Sequence, residues 1–215
     1  MKLVLASNNA KKLAELQALF DGLGIELVRQ GELGVSEAEE PHVTFIENAL
    51  AKARHASAAT GLPAIADDSG LCVDALGGMP GVNSANYATV AASPGEALGR
   101  ESIRQSQDDA NNALLLDKLR DAEDRRACFM CTLVAIRAAD DPQPLVATGR
   151  WNGEILRARE GTGGFGYDPL MFIPCFGTTV AALSKEVKNA HSHRAIAAAQ
   201  MKQLMRDAWH LAGQA

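Results

Sequence analysis

The sequence lacks the long apolar runs and the basic excess that two classes of protein need. No stretch approaches the roughly 18 apolar residues of a membrane-spanning helix, and the apolar start at residues 1–6 is too short for a signal peptide. Lysine and arginine number 21 against 26 acidic residues, a net charge of −5, whereas binding to duplex phosphates needs a positive field. We therefore expect no membrane contact and no nucleic acid polymer as partner.

Cysteine is too scarce for a disulfide framework. Four cysteines in 215 residues favour reduced thiols and a cytoplasmic protein. Cys128 and Cys131 form a CxxC pattern, but they lie in a run with strand character, where side chains three residues apart point to opposite faces. No second CxxC is present. We interpret both as packed thiols rather than as metal ligands.

Two common nucleotide and hydrolase motifs, GxxxxGK[ST] and GxSxG, are missing. Residues 161–166, Gly-Thr-Gly-Gly-Phe-Gly, match the dinucleotide string GxGxxG, but Pro169 and a strand-like run follow where that motif needs a helix. By itself the loop is either a tight structural turn or a ligand-binding loop in which Phe165 stacks on a flat ligand.

Hydrophobic spacing predicts a chain in which strands and helices alternate. A strand at 2–6, a polar loop at 7–12, a helix over 13–20 and a strand at 25–28 open the chain. Further predicted elements are a helix over 110–119, strands at 126–138, 145–148 and 170–173, a segment 151–157 that pairs back with 145–148, and a last helix capped by Ser192. We predict an α/β chain, a single domain over 1–215 with two lobes around a cleft.

A capping box, Thr44 with Glu47, predicts a helix that begins near Thr44. Its spacing assigns Ile46 to the buried stripe and places Asn48 and Lys52, four residues apart, on a shared exposed face.

Carboxylates follow a predicted strand at 64–66. Asp67 and Asp68 are oxygen donors of the kind that Mg²⁺ prefers. The same Asp-Asp-Ser-Gly sequence is also typical of a hairpin turn, with 71–76 as the partner strand. Glu39 and Glu40 are equally ambiguous, because an acidic run is usually a solvated loop.

Two cationic segments favour anion binding. Lys11 and Lys12 stand at the start of the first helix, where they oppose the helix dipole, and a bound phosphate would resolve that conflict. Lys188, His193 and Arg194 form a set of hydrogen-bond donors suited to a phosphate or a keto oxygen, whereas His191 is interpreted as a solvated side chain.

Taken together, these segments resemble the inosine triphosphate pyrophosphatase family over essentially the whole chain. The motifs that carry the resemblance are Ser7-Asn-Asn-x-x-Lys12, Glu39-Glu40, Thr44-Phe-Ile-Glu-Asn-Ala49 with Lys52, Ala66-Asp-Asp-Ser-Gly-Leu71, Leu76-Gly-Gly-x-Pro-Gly81, Gly163-Gly-Phe-Gly-Tyr-Asp-Pro169 and Lys188-Asn-Ala-x-Ser-His-Arg194. In contrast to the family pattern, Asn86 precedes Tyr87 where an arginine is usual, and residues 88–109 are longer than the matching stretch of many relatives.

The resemblance implies an elongated mixed sheet with flanking helices, a central nucleotide-binding cleft and a homodimer. It also implies that Asp68 is the proton acceptor for the attacking water and that Glu39 and Asp68 hold Mg²⁺. The residues implied in substrate binding are Ser7, Asn8, Asn9, Ala10, Lys11, Lys12, Lys52, Ser69, Phe165, Gly166, Tyr167, Asp168, Lys188, His193 and Arg194.

The expected reaction is hydrolysis of purine nucleoside triphosphates with unusual bases (ITP, dITP and XTP) to the monophosphate and pyrophosphate. Lysines and Mg²⁺ would neutralise the triphosphate before water attacks the α-phosphorus, and a carboxylate would deprotonate that water. Two alternatives stay open: a nucleotide-binding module without catalysis, and a related pyrophosphatase of the septum-formation-inhibitor type that acts on modified or pyrimidine nucleotides.

Overall fold

The computed structural model describes residues 1–8, 10–20, 22–90 and 100–211. The helices are Ala10–Leu19 (α1), Phe45–Thr60 (α2), Arg100–Lys118 (α3), Lys185–His191 (α4) and His193–Trp209 (α5). The strands are Lys2–Leu5 (β1), Glu26–Arg29 (β2), Ala64–Val73 (β3), Arg126–Ile136 (β4), Leu145–Ile155 (β5), Met171–Ile173 (β6) and Thr178–Thr179 (β7).

The strands form one seven-stranded sheet in the order β2-β1-β3-β4-β5-β6-β7. Strand β1 is parallel to both β2 and β3, with Val4 opposite Ala64 and Leu5 opposite Ile65. Strand β6 is antiparallel to both β5 and β7. The predicted mixed α/β fold with flanking helices is confirmed.

The chain divides into two compact units. The first unit comprises Met1–Ser69, Met130–Arg150 and Asn189–Ala215, and the second comprises Gly70–Phe129 and Trp151–Lys188. The single-domain boundary and the cleft between two lobes stay predictions.

The first unit buries its strands on both faces. Alternate side chains of β1, such as Leu3 and Leu5, pack in one core with Leu16 of α1 and Met201 of α5. The intervening side chains, such as Val4, pack in another core with the alanines of α2. Successive strand side chains point to opposite faces, so α1 and α5 cover one face of this part of the sheet and α2 covers the other. Strands buried on both faces read as continuous apolar runs, as β1 does.

The second unit has its own core, which is richer in aromatic side chains. Trp151 of β5, Phe129 of β4 and Tyr167 pack there with Leu115 of α3 and with Leu119, which follows the helix. The Tyr167 hydroxyl donates a hydrogen bond to the carbonyl oxygen of Ser84 at 2.9 Å. Burial raises the pKa of Tyr167 well above its ordinary value, so the phenol stays neutral as a buried donor.

Two strand predictions were wrong because turn-forming residues lie inside long strands. Residues 67–70 continue β3 without a hairpin, and 71–73 belong to the same strand. Likewise 145–148 and 151–155 are parts of β5 rather than two strands that pair. Local turn propensity was overridden because these segments complete sheet hydrogen bonding with neighbouring strands.

Three helix predictions need correction. Ile46 is 45% exposed rather than buried, whereas Asn48 and Lys52 are buried. The predicted helix 110–119 is the second half of α3, which begins at Arg100.

Within the described part of the chain, none of the helices has the length and apolar character needed to span a membrane.

Candidate active site

The site is built around two consecutive aspartates in the middle of β3. Because the side chains of adjacent strand residues point to opposite faces, Asp67 faces the side covered by α1 and α5, and Asp68 faces the side covered by α2. Both are almost fully buried. Each carboxylate therefore has a separate environment, and the interpretation of both as Mg²⁺ ligands stays a prediction.

Asp67 is enclosed by cations and a hydroxyl. One carboxylate oxygen, Oδ2, lies 3.0 Å from Lys12 Nζ and 3.7 Å from Arg194 Nε, and it accepts a hydrogen bond from Ser69 Oγ at 2.9 Å. Burial raises the pKa of Asp67, but the charges of Lys12, Arg194 and Lys52 lower it by more, so the pKa lies well below its ordinary value. Asp67 is thus a permanent anion.

Asp68 has the opposite balance. Its Oδ1 lies 3.3 Å from Lys52 Nζ, and its Oδ2 accepts from Asn48 Nδ2 at 3.3 Å. Burial and the negative charge of Glu40 raise the pKa of Asp68 by more than Lys52 and Asn48 lower it. Neighbouring carboxyls whose environments push their pKa values apart have different chemical roles, and Asp68 is the better proton acceptor of the two.

Helix α2 places the Asp68 partners. Thr44 caps the helix, as predicted, by accepting a hydrogen bond from the Glu47 backbone N–H at 3.3 Å. The side chain of Asn48 accepts from the His42 N–H at 3.0 Å and donates to its carbonyl oxygen at 3.2 Å. Lys52, one turn later, therefore enters the site from a helix whose preceding loop is tied down.

Lys52 bridges two carboxylates. Its Nζ lies 2.9 Å from Glu40 Oε2 and 3.3 Å from Asp68 Oδ1. Burial lowers the pKa of Lys52, but the charges of Asp68, Asp67 and Glu40 raise it by more. The amine is therefore protonated, and a buried ammonium of this kind is compensated by the acids around it.

Helix α5 approaches the sheet closely enough to bury Arg194. Ser192 caps it by accepting from the Ala195 N–H at 3.2 Å, which confirms the predicted start. A Cβ on Gly149 of β5 would collide with the backbone of His193, so glycine there permits the contact. The Arg194 guanidinium also lies 3.4 Å from Glu15 of α1.

The glycine loop of the second unit, residues 159–168, holds a separate ion pair. Lys188 Nζ lies 2.6 Å from Asp168 Oδ2 and 4.7 Å from the centre of the Phe165 ring. The same Asp168 oxygen accepts from the Phe165 N–H at 3.0 Å. Gly164 has a positive φ of 78°, and a Cβ there would collide with Asp168. The loop is therefore folded around the Asp168 carboxylate.

The structure sorts the predicted site residues into two groups. The first unit brings together Lys12, Lys52, Ser69 and Arg194 around Asp67 and the predicted Asp68. The second unit brings together Phe165, Gly166, Tyr167, Asp168 and Lys188. Lys188, predicted to join His193 and Arg194 as one set of donors, forms an ion pair with Asp168, and that set of donors stays a prediction.

The other predicted residues range from buried to exposed. Asn8 donates to Glu37 at 3.2 Å, Ser7 is half-buried, and His193 is buried. Glu39 and His191 are exposed, the latter as predicted. Asn9 lies outside the described residues, and so do the side chains of Ala10 and Lys11.

Sequence reasoning missed three side chains at the site: Asn48, Glu40 as the partner of Lys52, and Glu15. Asn48 and Lys52 were correctly placed on one helix face, but that face was predicted to be exposed and is buried. Glu15 stands three residues after Lys12, so the helical spacing that places both near α5 was present in the sequence.

A metal ion would find oxygen donors beside Lys52. Asp68 and Glu40 converge on one ammonium, and Glu39 is adjacent in sequence. No group of three His, Cys, Asp or Glu side chains is arranged to bind a metal within the described ranges. Mg²⁺ commonly binds through one or two carboxylates together with substrate phosphates rather than through a complete protein cage, so the residues fit Mg²⁺ delivered with a phosphate ligand.

Solved structures share this fold. A HAM1 protein from Coxiella burnetii superposes with a TM-score of 0.86 at 41% identity, covering 97% of this chain and 100% of that one. The Ham1 protein of Staphylococcus aureus gives a TM-score of 0.80 at 36% identity, covering 96% and 99%.

Sequence relatives are closer still. A protein of Leptothrix cholodnii named dITP/XTP pyrophosphatase is 67% identical over 212 residues, 99% of this chain and 100% of that protein. One of the same name from Methylibium petroleiphilum is 66% identical over 209 residues, 97% and 99%. The model of the Ham1 family matches residues 3–204. The predicted resemblance to nucleoside triphosphate pyrophosphatases is confirmed, and the chain belongs to the Ham1 family.

Proposed function

We propose that this chain hydrolyses ITP, dITP and XTP to the nucleoside monophosphate and pyrophosphate by attack of water at the α-phosphorus. The names of its relatives support the reaction class. The observation that carries the proposal is the contact of Lys52 with both Asp68 and Glu40, because it combines a phosphate-binding cation with acidic oxygens in one place. A site that only bound anions would gain nothing from those acids.

Asp68 is the residue that we assign to the attacking water. Its carboxylate is held by Asn48 and Lys52 in a fixed direction, and a general base must be within hydrogen-bond reach of the proton that it accepts. Asp67 is less suited to this role because the charges of Lys12, Arg194 and Lys52 lower its pKa, which makes its carboxylate a weaker base.

Lys12 and Lys52 are assigned to the triphosphate. Lys12 keeps 20% of its side chain exposed while its ammonium contacts Asp67. Cations near a phosphoryl group stabilise the charge that develops during transfer. We further assign Ser69 and the segment Ser7, Asn8, Asn9, Ala10 and Lys11 to substrate contacts.

Glu39 and Asp68 are the proposed ligands of Mg²⁺. When bound with the substrate, the ion would supply charge neutralisation at the phosphate oxygens. The donor chemistry of the acidic residues around Lys52 supports this assignment. Glu40 holds Lys52 at 2.9 Å, which keeps the amine beside Asp68.

The base is assigned to Phe165, Gly166, Tyr167, Asp168 and Lys188, with His193 and Arg194. Phe165 offers a half-buried ring for stacking, and Lys188 and Arg194 are donors suited to a purine keto oxygen. A homodimer that acts in the cytoplasm on small nucleotides, without a nucleic acid or membrane partner, completes the proposal.

Product analysis in ¹⁸O-labelled water tests the reaction. Incubation with ITP and Mg²⁺ should release pyrophosphate and place the label in inosine monophosphate. Inosine diphosphate with orthophosphate would contradict the proposal, because those products report attack at the γ-phosphorus. Binding of ITP with no turnover would instead support the non-catalytic nucleotide-binding module.

A further inference from the structure

Helix α3 directs one polar face at the glycine loop. Arg104, Asp108, Asp109 and Asn112 are spaced four, one and three residues apart, which places them on one side of a helix. Each of the four contacts loop residues between 159 and 166. No role in the proposed reaction uses this face of the helix.

Gly166 is held at both of its backbone groups. Asp108 Oδ2 accepts from the Gly166 N–H at 2.8 Å, and Asn112 Nδ2 donates to the Gly166 carbonyl oxygen at 2.9 Å. Asn112 is 1% exposed, and its Nδ2 also donates to the Asp108 carbonyl oxygen at 2.8 Å. The two side chains thus fix the peptide planes on either side of Gly166.

The hydrogen bonds with Asp108 and Asn112 form a clamp on Gly166, a residue whose backbone would otherwise rotate easily. It has a positive φ of 61°, a conformation that glycine leaves easily because no Cβ restricts it. The residues on either side, Phe165 and Tyr167, are those assigned to the base. A rotation at Gly166 would therefore move the Phe165 ring relative to Asp168 and Lys188.

The helix also touches the ring itself and the far end of the loop. The Arg104 guanidinium lies 5.6 Å from the centre of the Phe165 ring, within the range of a cation–π contact. Asp109 forms an ion pair with Arg159. Between helix and loop lies a cavity of about 310 Å³ that Gln105, Asp108, Arg159 and residues 161–164 help to line. The loop therefore depends on α3 side chains rather than on dense packing.

We propose that α3 sets the geometry of the base-binding loop, with Asp108 and Asn112 as positioning residues that act on Phe165 through Gly166. The inference rests on the proposed base site. It predicts that weakening the clamp lowers affinity for ligands that contain the base and leaves affinity for pyrophosphate unchanged, since the lysines assigned to phosphates belong to the first unit.

The test is calorimetric titration of the full chain with inosine monophosphate and, separately, with pyrophosphate, both in Mg²⁺. For Asp108→Ala we expect inosine monophosphate to bind on the order of 10-fold more weakly, as for loss of one hydrogen bond to a charged acceptor. Pyrophosphate should bind within about twofold of wild type, the spread expected where no contact is lost. Asp108→Asn should behave like wild type, because its amide oxygen still accepts from the Gly166 N–H.

Asn112→Asp is the second variant, and it conserves shape while replacing the donor to the Gly166 carbonyl oxygen with an acceptor. It should also weaken inosine monophosphate selectively. Asp117→Ala, an exposed residue of the same helix, is the matched control and should change neither ligand. Melting temperatures of all variants report folding.

Unchanged binding of inosine monophosphate by Asp108→Ala and Asn112→Asp would overturn the inference. So would equal losses for both ligands, which indicate general damage, or a loss in Asp108→Asn as large as in Asp108→Ala. Phe165→Ala separates the two proposals. If it leaves inosine monophosphate binding intact, the loop does not bind the base and this inference fails with it, whereas pyrophosphate release from ITP would leave the proposed hydrolysis standing.

Discussion

The acidic site of the first unit and the glycine loop of the second hold their buried carboxylates in different ways. Asp67 and Asp68 project from the middle of a regular strand, and their partners come from helices that pack on the two faces of the sheet. Asp168 sits in a loop that folds around its carboxylate, and that loop is held by side chains of α3.

The two regions have geometries that suit different functions. Catalytic groups need fixed geometry, which regular elements provide through packing on both sides. A loop with several glycines adapts more easily to the shape of a ligand and carries recognition. We therefore expect substitutions in the first unit to lower kcat, and substitutions in the second to raise KM or alter the choice of base.

Asp68→Asn should give the largest effect. The amide keeps the size of the side chain but loses the basic oxygen and the negative charge, so turnover should fall by about 10²–10⁴-fold, the contribution typical of a general base. Pyrophosphate release from ITP at saturating substrate measures it, and circular dichroism should show an intact fold. Asp140→Asn, an exposed residue of the same unit, is the control. Turnover near wild type with full Mg²⁺ dependence would place the base elsewhere.

Arg194→Ala tests whether base recognition is confined to the second unit, because Arg194 lies in the first unit yet is assigned to the base. A guanidinium satisfies the purine O6 acceptor of inosine, whereas the N6 amino group of adenine would leave it unpaired, at a cost of about 1–3 kcal/mol or more for a charged group. The variant should therefore lower kcat/KM for ITP far more than for ATP and shrink their ratio.

The same substitution at Arg206, an exposed residue of α5, should leave both values of kcat/KM unchanged. Melting temperatures are needed beside the kinetics, because Arg194 also contacts Asp67 and Glu15. Equal losses for the two nucleotides would show that Arg194 does not read the base.

Glu39→Gln and Glu40→Gln sharpen the metal assignment within the first unit. Glu40 contacts Lys52, whereas Glu39 is assigned to Mg²⁺. We expect Glu39→Gln to raise the Mg²⁺ concentration for half-maximal activity by about 10-fold, comparable to other losses around metal sites, and Glu40→Gln to raise it less. Activity measured across a Mg²⁺ series decides between them, and the reverse order would move the ligand to Glu40.

Thiol labelling gives the smallest effect and compares the two units directly. Burial, together with the charge of Asp67, raises the pKa of Cys131 to about 12, so this thiol of the first unit should not react with a disulfide reagent while the protein is folded. Cys175 of the second unit is exposed and should react first. Cys175→Ser should abolish the fast phase, and reaction of Cys131 in the native protein would show that the β4 core opens.

Local sequence was sufficient for the helix starts and for the family. Thr44 and Ser192 cap α2 and α5 as predicted, because a side-chain oxygen that satisfies the first free N–H groups is a strictly local interaction. The order of short motifs along the chain identified the family, and with it the residues assigned to chemistry, before any contact between them was visible.

Tertiary structure decided which way those residues point. Asp-Asp-Ser-Gly looks like a turn by composition, yet it lies inside β3, which neighbours β4 in the sheet. Lys52 and Asn48 are polar and were predicted to face solvent, but carboxylates from distant parts of the chain compensate their burial. The free energy of a buried charge depends on partners that are remote in sequence. A motif therefore points to the residues that we assign to catalysis, whereas the separate environments of Asp67 and Asp68 follow only from the faces of the folded sheet.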